Sequence, residues 1–219
     1  MANSLKFVGL ESRIQELENN LLPAIEPTAV YSVPEQDLVR SYCLLCHAEI
    51  EAYIEGIADE TITTAFTKWQ ADKQNISPII FHLAYSFKSE KREPVYSMIN
   101  LAYNQLKKAI EKNNGIKEDN LNNFFKPIGF QMDNVLTTTL NEFGKTRGQI
   151  AHTSFHTQQP LDPSIERNNI RTIMQGLKLF DTELINYESL GNLPRPPIVI
   201  PWKKMNFIER CIFIFTGKH

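Results

Sequence analysis

The run Arg147-Gly148-Gln149-Ile150-Ala151-His152 sets two complementary side chains five residues apart. An arginine stays charged and can grip a phosphate through two parallel N–H donors. A histidine titrates near neutral pH and can take up or release a proton during a reaction. Together they could hold an anion and move a proton beside it. The spacing alone has little specificity, since 8 arginines and 5 histidines in 219 residues give about 0.2 such pairs by chance. Context adds weight to it. On a wheel of about 100° per residue, Leu136, Leu140, Phe143, Ile150 and Ala151 fall within about 50° of one direction, with Arg147 in the middle of that stripe. An arginine there must be paired, or must line a cleft or an interface. Five residues also turn about 140° round a helix, so Arg147 and His152 do not share a face of a regular one. The helix is therefore expected to end before His152.

A second helix carries chemistry near its apolar arc of Tyr42, Cys46, Ile50, Tyr53, Ile54 and Ile57. Arg40, His47 and Glu51 lie along one flank of the arc, and Ala48, Ala52 and Gly56 form a small-residue strip on another side. Little of this helix is left for solvent, which marks it as the central one, and Glu51 becomes the candidate to neutralise Arg147. Cys43-x2-Cys46-His47 could suggest zinc, but no second Cys/His pair follows and the cysteines sit on an apolar helix, so core packing is favoured and no metal is expected. His156 lies near enough to Arg147 and His152 to assist binding. Lys88, Lys91 and Arg92, and Lys107, Lys108 and Lys112, are short basic clusters that read more readily as solvated helix faces than as a phosphate track. Trp69 and Trp202 could stack bases, and nothing in the sequence prefers that to packing.

The elements that must position these residues are helical. Leu10, Ile14, Leu17, Leu21 and Ile25 trace an amphipathic helix over residues 5–25, closed by Pro23 and Pro27. Ser32-Val33-Pro34-Glu35 has the form of a capping box with proline in the first turn, opening a helix that runs to 58 and could continue to 73. Further helices are expected over 94–113, stopped by Asn113-Asn114-Gly115, over 117–125, broken by Pro127 and Gly129, and over 133–151. After a polar loop, Asp162-Pro163 caps a last helix reaching 187. From Asn192 the chain changes character, with Pro194, Pro196, Pro197 and Pro201 in ten residues; 198–200 and 212–215 are too brief to settle as strands. The expected organisation is an all-α bundle over 1–190 with an extended Pro-rich arm over 191–219.

Composition narrows the class. With 42% hydrophobic and 22% charged residues the chain is globular rather than disordered. A formal charge of −2 excludes the whole-chain basic signature of a nucleic-acid coat protein, and 9 glycines are too few for a fold of many tight hairpins or Gly-rich phosphate loops. No apolar run approaches the roughly 20 residues that span a bilayer, so no membrane partner is expected. Residues 1–10 lack the apolar core of a signal peptide, and three cysteines suit a reducing compartment, so a cytoplasmic location is expected.

Three stretches resemble the HEPN superfamily, and in particular its RiboL-PSP and MAE-type nucleases, which carry an Arg-x4–6-His motif. They are Leu44-Leu45-Cys46-His47-Ala48-Glu49-Ile50-Glu51-Ala52-Tyr53-Ile54, the pair Asn113-Asn114-Gly115-Ile116-Lys117 and Phe125-Lys126-Pro127-Ile128-Gly129, and Arg147 to His152 with the flanking Thr153-Ser154. The resemblance covers about residues 39–154. It implies an all-α fold and a metal-independent RNA endonuclease without a cofactor, serving as a toxin or antiviral defence effector and working as a homodimer, with an antitoxin or defence-system protein as a further partner. In that picture Arg147 binds the phosphate and His152 exchanges the protons, with Glu51, His47, Gly148, Thr153 and Ser154 in support. Two departures stand out. Gly148 replaces the polar residue that many members place after the arginine, and Ser154 replaces the tyrosine of the nucleotidyltransferase-linked branch. Superfamily members that have lost activity supply the alternative, a non-catalytic module binding nucleotide, RNA or a partner protein. A plain interaction bundle with an Arg147–Glu51 pair is a third reading, in which Glu51→Gln strongly destabilises the fold.

Overall fold

The computed structural model describes residues 3–26, 30–74, 76–86, 94–152 and 159–191. These form seven α-helices: α1 (Leu5–Leu21), α2 (Val33–Ala71), α3 (Pro78–Ser86), α4 (Val95–Glu111), α5 (Glu118–Phe125), α6 (Asn134–His152) and α7 (Pro163–Ser189). The all-α expectation holds. The Pro-rich arm beyond Gly191, with the brief stretches 198–200 and 212–215, lies outside the described residues, as do Thr153, Ser154, His156, Lys88, Lys91, Arg92 and Trp202.

Local chemistry sets most helix ends. Ser4 caps α1 by accepting from the Phe7 N–H at 3.1 Å. The helix stops at Leu21, short of the expected 25, because a residue before proline is pushed out of the helical region: Leu22, preceding Pro23, is extended. Glu35 reaches back to the Ser32 N–H at 2.7 Å and starts α2, the backbone-directed half of the expected capping box. Asp133 accepts from the N–H groups of Val135 and Leu136 at 2.8 and 3.0 Å to open α6. Asp162 does the same for α7, accepting from Ser164 and Ile165. The unanticipated helix is α3, whose sequence PIIFHLAYS is too uniformly apolar to show a period.

At 39 residues, α2 is the axis of the bundle, and α1, α3, α4, α6 and α7 all pack on it. Some of it does reach solvent, against expectation: Leu38, Leu45, Ala48 and Ala52 are exposed along one strip. The last helix runs parallel to it, since Glu166 meets Cys43, Asp181 meets Tyr53 and Glu188 meets Thr61. Gly176 on α7 brings α6 close, because a Cβ there would lie 2.8 Å from Leu136 Cδ1.

Asp181 is the main polar clasp of the interior. Although only 1% exposed, its carboxylate accepts from the Ser4 N–H at 2.7 Å, the Ser4 hydroxyl at 2.5 Å and the Tyr53 hydroxyl at 2.9 Å. One acid thereby joins the first turn of α1 to α2 and α7. Asp181→Ala leaves the Tyr53 hydroxyl buried without its partner and takes the acceptor from the Ser4 N–H and hydroxyl, so a loss of about 2–3 kcal/mol is expected in urea unfolding. A loss below about 0.5 kcal/mol would mean that the clasp contributes nothing net.

Candidate active site

The buried stripe of α6 leaves the core as it approaches its C-terminus. Leu136, Leu140 and Phe143 are buried, Arg147 and Ile150 are half-buried, and Ala151 and His152 are exposed. Arg147 therefore stands at the border of core and solvent. The helix continues through His152, so the expectation that it ends before that residue is not met. On one regular helix the two residues remain about 140° apart.

A glycine makes the close approach beside Arg147 possible. A Cβ on Gly144 would lie 3.3 Å from Lys117 Cγ, 3.7 Å from Ile116 Cγ1 and 4.0 Å from His47 Nε2. The central helix, the start of α5 and the turn of α6 that leads into Arg147 thus meet at one point. His47 is 3% exposed and its ring lies 5.8 Å from that of Phe143. Burial, and secondly the nearby Arg147 guanidinium, push its pKa down to about 4, so it is neutral at pH 7.

Glu51 does not neutralise Arg147. Its Oε1 accepts from the Gly115 N–H and, at 3.4 Å, from the Asn113 amide, while Oε2 lies 3.6 Å from His47 Nδ1, long for a hydrogen bond. Asn113 also donates to Glu55 at 2.7 Å and to the Gly115 carbonyl at 3.0 Å. The carboxylate thus closes the α4–α5 loop onto α2. The physical reason for the correction lies in burial: a half-buried guanidinium keeps water around it, whereas the loop N–H needs an acceptor. Among the described residues Arg147 forms no ion pair. Gly148 faces open space, since a Cβ there would meet nothing within 4 Å.

The remaining candidates resolve into packing. Cys43 and Cys46 are fully buried, Cys43 towards Glu166 of α7 and Cys46 beside Tyr42, while His47 points to α6. The three do not converge, and burial pushes both thiols up, that of Cys46 to about 12. Trp69 is 1% exposed and stacks near Tyr96, which closes it to bases. Lys107 is engaged by Asp59. Sequence reasoning missed Gly144 and Lys117. The available signal was a glycine on a buried helical stripe, which costs about 1 kcal/mol against alanine unless something packs there.

A model of the RiboL-PSP-HEPN family matches residues 9–186, from α1 into α7. The chain belongs to this family, and through it to the HEPN superfamily. The match extends well beyond residues 39–154 and takes in all seven helices. No curated protein and no solved structure matches the chain. No helix among the described residues is long and apolar enough to cross a membrane.

The buried His47 makes stability depend on pH. Its folded pKa lies below the unfolded value of 6.5, so the unfolded chain binds the extra proton as pH falls from 6.5 to about 4, and stability is lost across that window. At pH 5 the loss reaches about 2 kcal/mol relative to pH 7. Urea midpoints of wild type and His47→Gln should therefore diverge in pH dependence, with the variant flatter between pH 4 and 6.5. Parallel profiles would remove His47 as the source.

Proposed function

We propose that this chain is a metal-independent RNA endonuclease, a toxin or antiviral effector acting in the cytoplasm, whose site forms when two copies bring Arg147 and His152 together. The observation that carries the reading is a half-buried arginine without a carboxylate partner among the described residues, set at the end of a buried stripe beside a neutral histidine. Membership of a family whose superfamily includes ribonucleases supports it.

The chemistry follows from the residues. The ribose 2′-oxygen attacks phosphorus and the bond to the 5′-oxygen breaks. One His152 accepts the 2′-OH proton, and the partner's His152, protonated, gives a proton to the leaving 5′-oxygen. Arg147 holds the non-bridging oxygens while charge builds there. The products are a 2′,3′-cyclic phosphate and a 5′-hydroxyl. His47 is buried and neutral, so it supports the turn of α6 that leads into Arg147, packed against Phe143 and Gly144. In the sequence Gly148 follows Arg147, and Thr153 and Ser154 follow His152, while Glu51 shapes the loop beside the site. An antitoxin or defence-system protein would restrain the site until it is needed.

The test compares wild type, His152→Ala and Arg147→Ala, by toxicity and RNA integrity in a bacterial host and with purified protein in EDTA. Cyclic-phosphate ends, produced in EDTA and absent with both variants, are expected. Folded, dimeric wild type that leaves RNA intact would shift the reading to a non-catalytic module binding nucleotide, RNA or a partner protein.

A further inference from the structure

Arg147 has a neighbour of the same charge that the motif does not include. Lys117, the residue before α5, is exposed, and its aliphatic stem lies over Gly144, within 3.3 Å of where a Cβ would stand. Arg147 follows three residues later on α6, about 4.5 Å further along the axis. Neither cation forms an ion pair among the described residues; Glu118 and Asp119 follow Lys117 in the chain without bonding it. Glu51, the carboxylate expected to neutralise Arg147, is committed to Gly115 and Asn113. His47, which closes the floor beneath them, is uncharged at pH 7. Beside Arg147, Gly148 leaves open space where a side chain would otherwise project. Two cations without an ion pair among the described residues, seated over neighbouring turns of α6 above an uncharged floor and next to free volume, suit an extended polyanion better than a single small anion.

We propose that Lys117 and Arg147 form a two-cation seat for consecutive phosphates of one RNA strand, with Arg147 on the phosphate that is cut and Lys117 on its neighbour. The proposal rests on the RNA reading above. Lys117 is a substrate-binding residue that positions the strand and takes no part in proton transfer. Gly144 is the residue that lets its stem lie flat against α6.

The experiment titrates full-chain protein with a short single-stranded oligonucleotide of 2′-O-methyl riboses, which cannot attack itself, over a series of salt concentrations. Lys117→Ala should weaken binding and reduce the slope of log K against log salt by about 0.7, the value for one phosphate contact on a single strand. Arg147→Ala should reduce it similarly, and Lys117→Arg should keep it. Lys145→Ala, which removes a lysine already paired with Glu142, should leave it unchanged. With cleavable RNA, Lys117→Ala should raise KM several-fold and keep kcat. If Lys117→Ala retains the wild-type slope while Arg147→Ala loses a contact, the seat is overturned and the RNA reading stands. If wild type fails to bind the oligonucleotide, both go.

Discussion

RNA incubated with the His152→Ala protein is expected to survive at least about 10²–10⁴ times longer than with wild type, the usual worth of one positioned proton-transfer group. The homodimeric variant loses acid and base together, so the upper end of that range is the expectation. Arg147→Ala should fall comparably, because it removes the grip on the charge that builds at phosphorus. The arrangement of α6 adds a sharper test. The helix runs unbroken to His152, which leaves Arg147 and His152 turned apart within one chain. Each reaction then needs two chains, and activity should follow the fraction of wild-type pairs. After subunit exchange, an equal mixture of wild type and His152→Ala should retain about a quarter of the activity if both histidines are needed. Retention of about half would show that each site uses a single His152, against the two-histidine mechanism.

Gly129→Ala should cost about 4 kcal/mol, the largest stability effect expected from removing no interaction at all. Gly129 follows the short turn Lys126–Ile128 with φ +76°, a conformation that costs an L-residue about 1–2 kcal/mol. A Cβ there would also lie 2.2 to 2.6 Å from ring atoms of His82, and the atom at the base of the ring is among them at 2.3 Å. Rotating the imidazole about its own axis cannot clear it, and displacing the side chain adds about 1–3 kcal/mol. The turn matters because it aims Phe130 inward: the Phe130 N–H closes onto the Phe125 carbonyl at 3.0 Å, and the ring meets those of Phe125, Phe180 and Tyr187. A thermal midpoint lower by about 10 °C is expected for a chain of this size. Adding His82→Ala should recover the steric part and leave the conformational one. A midpoint within about 2 °C of wild type would contradict the account.

Reading the sequence located what depends on neighbours in the chain. Ser32 with Glu35, Asp162 and the stop at Gly129 are local devices, and each sits where the sequence predicted it; Asp133, read as the first residue of its helix, caps it instead. The stripe on α6 was legible for the same reason, as was the resemblance carried by Arg147 and His152. What escaped depends on tertiary placement. Helix α3 is apolar all round, so it shows no period until neighbours exist to bury it. The Arg147–Glu51 pairing failed because a helical wheel shows which residues face one way but not which loop arrives there. Once the Gly115 N–H sits against Glu51, the carboxylate is committed. His47 was visible as a flank residue, yet its neutrality comes from burial by α6 and from Arg147, which no spacing within α2 reveals.

The carboxylate of Asp181 ties residues 177 positions apart, joining the cap of the first helix to the middle of the last. During synthesis, the ribosome must therefore release nearly the whole described chain before Asp181 can anchor Ser4, the residue that caps α1. The same holds for α2, whose Cys43, Tyr53 and Thr61 find their polar partners only on α7. Contacts of such long range are the last to form, because the loop between them must be closed before they return any stability. Helices α2, α5 and α6, which carry the candidate site, are all translated earlier, yet the axis they lean on stays open along one side. A nascent chain thus holds Arg147 and His152 before it has the frame to fix them, and assembly of the site waits on the final helix.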